Sequence, residues 1–194
     1  MADSESTDEV LSATRDWVER VVIGLDLCPF AKQPHAARQI RFVVSGATTE
    51  DALQDDLVEE LRLLVASNTA AIETTLLIHP YVLQDFFAYN DFLDVAEAAV
   101  EALDLIGEIQ VASFHPQYLF AELEADDPAN YTNRSPYPML HLLREASVER
   151  AVDSMPDSSE ISRRNFDRLR ELGIARCRDL PRRPQVPGAQ APQR

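Results

Sequence analysis

Three short apolar segments, residues 40–45, 75–78 and 108–114, are separated by two stretches carrying the 3.6-residue period of an amphipathic helix. That order leaves few folds open. Strand, helix, strand, helix, strand favours right-handed crossovers and a small, mainly parallel sheet. The expected class is therefore α/β, with a βαβαβ core and an N-terminal and two C-terminal helices packed on it. The sheet has three strands, or four if residues 118–123 add one. In the first crossover helix, through about Ser67, Leu53, Leu57, Leu61 and Leu64 form the inward stripe, with Thr48 or Thr49 as cap. The second helix is carried by Phe86, Leu93, Ala96, Val100 and Leu103, and Gly107 stops it.

Outside this core, Ser6 and Glu9 stand at capping-box spacing, and apolar residues then recur from Val10 to Leu25. Pro29 disfavours helical geometry in the residue before it, so this helix ends near Cys28. The next stretch, to Arg38, holds Pro29 and Pro34 and reads as an ordered loop or a short turn of helix. Residues 139–154 read as a helix after Pro138, with Ser135 as a candidate cap, and a last helix runs to Leu172 before Gly173. The boundaries that follow are a short tail over 1–6, one domain over 7–175 and a disordered Pro-, Arg- and Gln-rich tail over 176–194.

Charge narrows the partners. With 33 acidic residues against 18 lysines and arginines, the formal net charge is −15, which opposes nucleic acid and anionic membrane surfaces. No apolar run approaches the ~20 residues that span a bilayer. The acidic N-terminus lacks the basic and apolar regions of a signal peptide, so a cytoplasmic location is expected. In a reducing compartment the only cysteines, Cys28 and Cys177, would not pair.

In a parallel sheet, Ser45-Gly46, His79-Pro80 and His115-Pro116 all fall at the C-terminal edge, where open α/β sheets bind ligands. Proline fixes each histidine in extended backbone. Such a histidine can also do no more than satisfy loop backbone. His141, Arg144, Glu145 and Val148 share one stripe if residues 139–154 are helical. Lys32, Arg38 and Arg41 form a basic island, with no acid between Asp26 and Glu50, where an anion could bind. Cys28 follows a helix C-terminus, whose dipole opposes a thiolate.

Three segments, Gly24-Leu25-Asp26-Leu27-Cys28-Pro29-Phe30-Ala31, Phe114-His115-Pro116-Gln117-Tyr118-Leu119-Phe120 and Asn133-Arg134-Ser135-Pro136-Tyr137-Pro138-Met139-Leu140-His141-Leu142-Leu143-Arg144-Glu145, resemble a mainly bacterial family catalogued as domain of unknown function 1415. The resemblance spans about residues 10–172. Asp26 departs from it, since asparagine is expected there. It implies that the three segments serve one shared feature, and it brings neither a reaction nor a cofactor.

The leading expectation is a small-molecule enzyme acting on an anionic substrate in a pocket at the sheet's C-terminal edge. His115 would be the general acid or base, assisted by His79 or His141, and Cys28 a nucleophile or a wall. Asn133, Arg134, Arg144, Lys32 and Tyr118 would hold the substrate. One alternative is a zinc or iron site built from His79, His115 and His141, with or without Cys28. Another is a non-enzymatic binding or adaptor domain.

Overall fold

The computed structural model describes residues 6–153 and 160–180. Its first helix, α1 (Thr7–Trp17), opens on the capping box: Ser6 Oγ accepts the Glu9 N–H, and the Glu9 carboxylate accepts the Ser6 N–H. The helix then widens into a π-helical turn, Val18–Ile23, and ends at Gly24. A Cβ at Gly24 would collide with the Arg20 carbonyl, so the close approach there requires glycine. Gly24→Ala should lower stability by about 1–3 kcal/mol, the usual range for forcing atoms into packed space. A melting curve superimposed on that of the parent would show that the turn yields freely.

Asp26 sits in the left-handed region at φ 53, which aspartate and asparagine tolerate better than most residues. The stretch after Cys28 contains a short helix, α2 (Lys32–Ala36). Four strands follow: β1 (Ile40–Val44), β2 (Thr74–Ile78), β3 (Ile109–Phe114) and β4 (Met139–Arg144). Helix α3 (Glu50–Ala66), capped by Thr49, crosses from β1 to β2, and α4 (Phe86–Ala102), capped by Asp85, from β2 to β3.

The class is α/β as expected, with the βαβαβ order intact, but the sheet is mixed. Its order is β1-β2-β4-β3, with β1 and β2 parallel and β4 antiparallel to both of its neighbours. Residues 139–144 are thus a strand where a helix is predicted, and α5 (Glu145–Asp153) begins only afterwards. The reason is tertiary. Strands β2 and β3 do not touch, and β4 satisfies the backbone groups that each turns toward the other. The extra strand considered at residues 118–123 does not form. Because β1, β2 and β3 still run the same way, their C-terminal ends share one edge.

Alternation along the strands divides the core. One face presents Val43, Leu77, Val111, Leu140 and Leu142 to α3 and α4. The other presents Phe42, Leu76, Ile78, Phe114 and Met139 to α1 and the π-helical turn, and to α6 (Ile161–Leu172) and α7 (Ile174–Arg178). Helix α7 corrects the tail boundary. Cys177 is fully buried against Leu169 rather than lying in a disordered segment, because its helix closes over the second face. The remainder of the predicted tail, 181–194, lies outside the described residues, as do 1–5. Both cysteines are free. Among the described residues no helix is long and apolar enough to cross a membrane.

Candidate functional site

His79 and His115 do meet at the C-terminal edge, on the first face beneath α4, and both are fully buried. Tyr89 lies between them, with ring centroids 5.8 Å from His79 and 5.0 Å from His115. His115 has every polar group engaged. Its Nδ1 accepts the Gln117 N–H at 3.0 Å, so Nε2 carries the hydrogen and donates to Leu83 O at 3.2 Å. Its backbone N–H donates to Asn133 O. His79 Nδ1 lies 3.2 Å from Val82 O and donates to it, which leaves a buried Nε2 with no partner. The two imidazoles thereby clamp consecutive carbonyls of the loop before α4, where Leu83 is held in the left-handed region at φ 56. Burial lowers the pKa of each to about 4, so both are neutral at pH 7.

The residues expected to hold a substrate at this edge are mostly tied to backbone. Asn133 Nδ2 donates to Ser113 O, and the Tyr118 hydroxyl lies 3.2 Å from Ser113 Oγ. Arg134 donates from Nε to Tyr118 O and from Nη2 to Ala125 O. Arg144 points away. By strand alternation its side chain leaves the first face, where Nη2 donates to Leu64, Ser67 and Ile72 carbonyls and caps α3. Of the basic island, Arg41 forms a two-pronged pair with Glu60, and Lys32 opens α2.

His141 and Cys28 come together elsewhere. A cavity of about 520 Å³ lies on the second face, over the N-terminal halves of β2 and β3. Its floor is Thr74, Leu76, Gln110, Ala112 and His141, and its roof is Trp17, Val22 and the Cys28–Pro29–Phe30–Ala31 turn. Register explains the floor, since His141 stands between Leu76 and Ala112 across the ladder. Its Nε2 is 2.8 Å from Thr74 Oγ1, and that hydroxyl donates its only hydrogen to Leu142 O at 2.6 Å. Nε2 must therefore be the protonated nitrogen, and Nδ1 keeps its lone pair with no hydrogen bond among the described residues. Enclosure lowers the His141 pKa to about 4, so this imidazole is neutral at pH 7.

Across the cavity, burial raises the Cys28 pKa, while the N–H groups of Phe30 and Ala31 aimed at Sγ oppose the shift and nearby Asp26 adds to it. The thiol thus faces the start of a new turn as well as the end of the preceding helix, a local geometry that the helix dipole alone does not convey. No hydrogen bond joins it to His141. Histidine and cysteine, expected at the sheet edge, share a chamber on the sheet face, and the Arg144 backbone region borders it while the guanidinium serves the opposite side.

Among the described residues no three histidine, cysteine or acidic side chains are placed to hold a metal ion. His141 lies on the face opposite His79 and His115, so the three-histidine ligand set is not assembled. Two residues of the chamber escape a reading of the sequence. Thr74 has no motif of its own, and Trp17 reads simply as part of a buried helical stripe. Its indole donates to Arg134 O at 3.1 Å and its ring meets Phe114 edge-on at 5.2 Å, which makes it a partition between this chamber and a second cavity at the sheet edge.

No curated protein and no solved structure matches the chain. A family model does, over residues 9–179, a span that takes in the Cys28 turn, both buried strand-end histidines and all of β4. The chain belongs to the family described as protein of unknown function DUF1415.

Proposed function

We propose that this protein is a small-molecule enzyme whose reaction chamber is the cavity on the second face of the sheet, with His141 as general base. The observation that carries this reading is the chain His141 Nε2–H to Thr74 Oγ1–H to Leu142 O. It fixes one tautomer and leaves Nδ1 as an uncharged proton acceptor in a half-open cavity. When Nδ1 takes a proton from a bound substrate, the Thr74 hydroxyl and the Leu142 carbonyl dipole face the new imidazolium. Their support is weaker than that of a carboxylate, and it carries no charge of its own to neutralise. The Cys28 thiol faces the bound molecule from the roof. The mostly apolar lining favours a substrate with an apolar body and one acidic or hydroxylic proton.

The test is direct. Incubation with a mixture of small metabolites, followed by mass spectrometry, should show at least one compound consumed by the parent protein. It should be spared by His141→Asn, with Thr74→Val slower by about tenfold or more, in the range of general-base contributions. Alkylation of Cys28 with N-ethylmaleimide should stop the turnover by filling the chamber. Equal consumption by a folded His141→Asn protein, or no consumption by the parent, defeats the assignment.

A further inference from the structure

The second cavity, about 490 Å³, opens at the C-terminal edge of the sheet on the far side of Trp17. None of its lining residues is acidic, in a chain with 33 acids against 18 lysines and arginines. Two of them, Arg134 and Arg178, are cationic. Arg134 is held in place from three sides: Nε and Nη2 donate to carbonyls at 3.1 and 3.0 Å, and the guanidinium lies 4.6 Å from the centroid of Tyr131. Carbonyls orient a guanidinium without neutralising it. Among the described residues no carboxylate pairs with Arg134 or Arg178. A half-enclosed arginine without a counter-charge keeps a full positive field in a site that is partly screened from water.

The rest of the wall mixes polar and apolar groups: Pro116 and Leu180 are partly exposed there, and only the margin of the buried Trp17 ring reaches it. We propose that this cavity is a binding site for a small organic anion, a carboxylate or a phosphate monoester on a compact apolar body. The charged group lies against Arg134 and Arg178, and the body packs on Pro116 and Leu180 beside the margin of Trp17. The proposal does not depend on catalysis in the sheet-face chamber, since none of the chamber's polar groups takes part.

Trp17 is the only tryptophan, so its fluorescence reports this wall directly. The full chain would be titrated with benzoate, phenyl phosphate and the uncharged benzamide. Benzoate or phenyl phosphate, whichever anion is the better match, should change the emission saturably, and benzamide should bind about tenfold more weakly or worse, the loss of one charge-assisted contact. Arg178→Gln, on an exposed side chain, should weaken the anion by a similar factor without altering the melting temperature, and Arg134→Gln should weaken it at least as much. His141→Asn should bind as the parent does, which separates this site from the chamber across the partition. Equal affinity for benzoate and benzamide, or an unchanged affinity in Arg178→Gln and Arg134→Gln, overturns the proposal. So does the absence of any saturable change up to about 10 mM, beyond which binding is weaker than the millimolar range.

Discussion

Acidification from pH 7 to about pH 4 is expected to remove most of the stability of this fold, because three histidines shielded from water must stay neutral for it to persist. His79, His115 and His141 have pKa values lowered by burial to about 4, against 6.5 when exposed. The folded values lie below the unfolded ones, so between these limits the unfolded chain binds more protons. Stability is then complete above about pH 6.5 and falls as pH drops toward 4, where it levels off for these groups. Each histidine contributes on the order of 3 kcal/mol over that interval, because every tenfold difference in proton affinity between the two states is worth about 1.4 kcal/mol. Together they approach the whole stability of a typical domain, about 5–15 kcal/mol.

Urea unfolding at a series of pH values measures the slope. His79→Phe should flatten it by about one proton while costing little at pH 7. Phenylalanine preserves the stacking on Tyr89 and removes a nitrogen that has no partner. Val82 O keeps a donor in the Gln84 side chain. A stability that is flat from pH 7 to 4.5 would show that these imidazoles accept protons inside the fold.

Tyr89→Phe should cost about 2–4 kcal/mol, although it removes a single oxygen. The Tyr89 hydroxyl donates to Met139 O at 2.9 Å and accepts the Phe114 N–H at 3.0 Å. Phe114 and Met139 face each other at the end of the β3–β4 ladder, so the hydroxyl completes a junction that the backbone leaves open. Without it, a donor and an acceptor are buried unpaired, at about 1–3 kcal/mol each when none of the loss is recovered. Denaturant unfolding gives the energy, and hydrogen exchange at the Phe114 amide gives the location. A variant as stable as the parent, with that amide still protected, would show that the strands close the gap themselves.

Most of the fold was legible because its elements announce themselves by period. The leucine stripe of α3, the capping box of α1 and the apolar runs of β1, β2 and β3 each have one reading. Residues 139–144 have two. Met-Leu-His-Leu-Leu-Arg lacks β-branched residues and follows a proline, so local preference favours helix. What makes it a strand is the space between β2 and β3, which no window of sequence displays. That one reassignment moves His141 from a helix surface to the floor of a cavity and turns Arg144 toward the opposite face. The edge location of His79 and His115 was readable from the His-Pro pairs. Their hydrogen bonds to Val82 and Leu83 were not, because they depend on how the following loop folds back.

The late position of β4 also governs how the molecule can be assembled. Its partners in β2 lie some 65 residues earlier in the chain, as in the pairing of Thr75 with Leu142. Contacts across such separations close large loops and are slow to form. Until residue 144 is in place, β2 and β3 are two unpaired edges with a slot between them, and the sheet-face chamber lacks the part of its floor that carries His141. The sheet is completed from the middle by its last strand. A chain that stops before that strand has no smaller version of this fold to settle into, and its open edges are the surfaces most prone to aggregate.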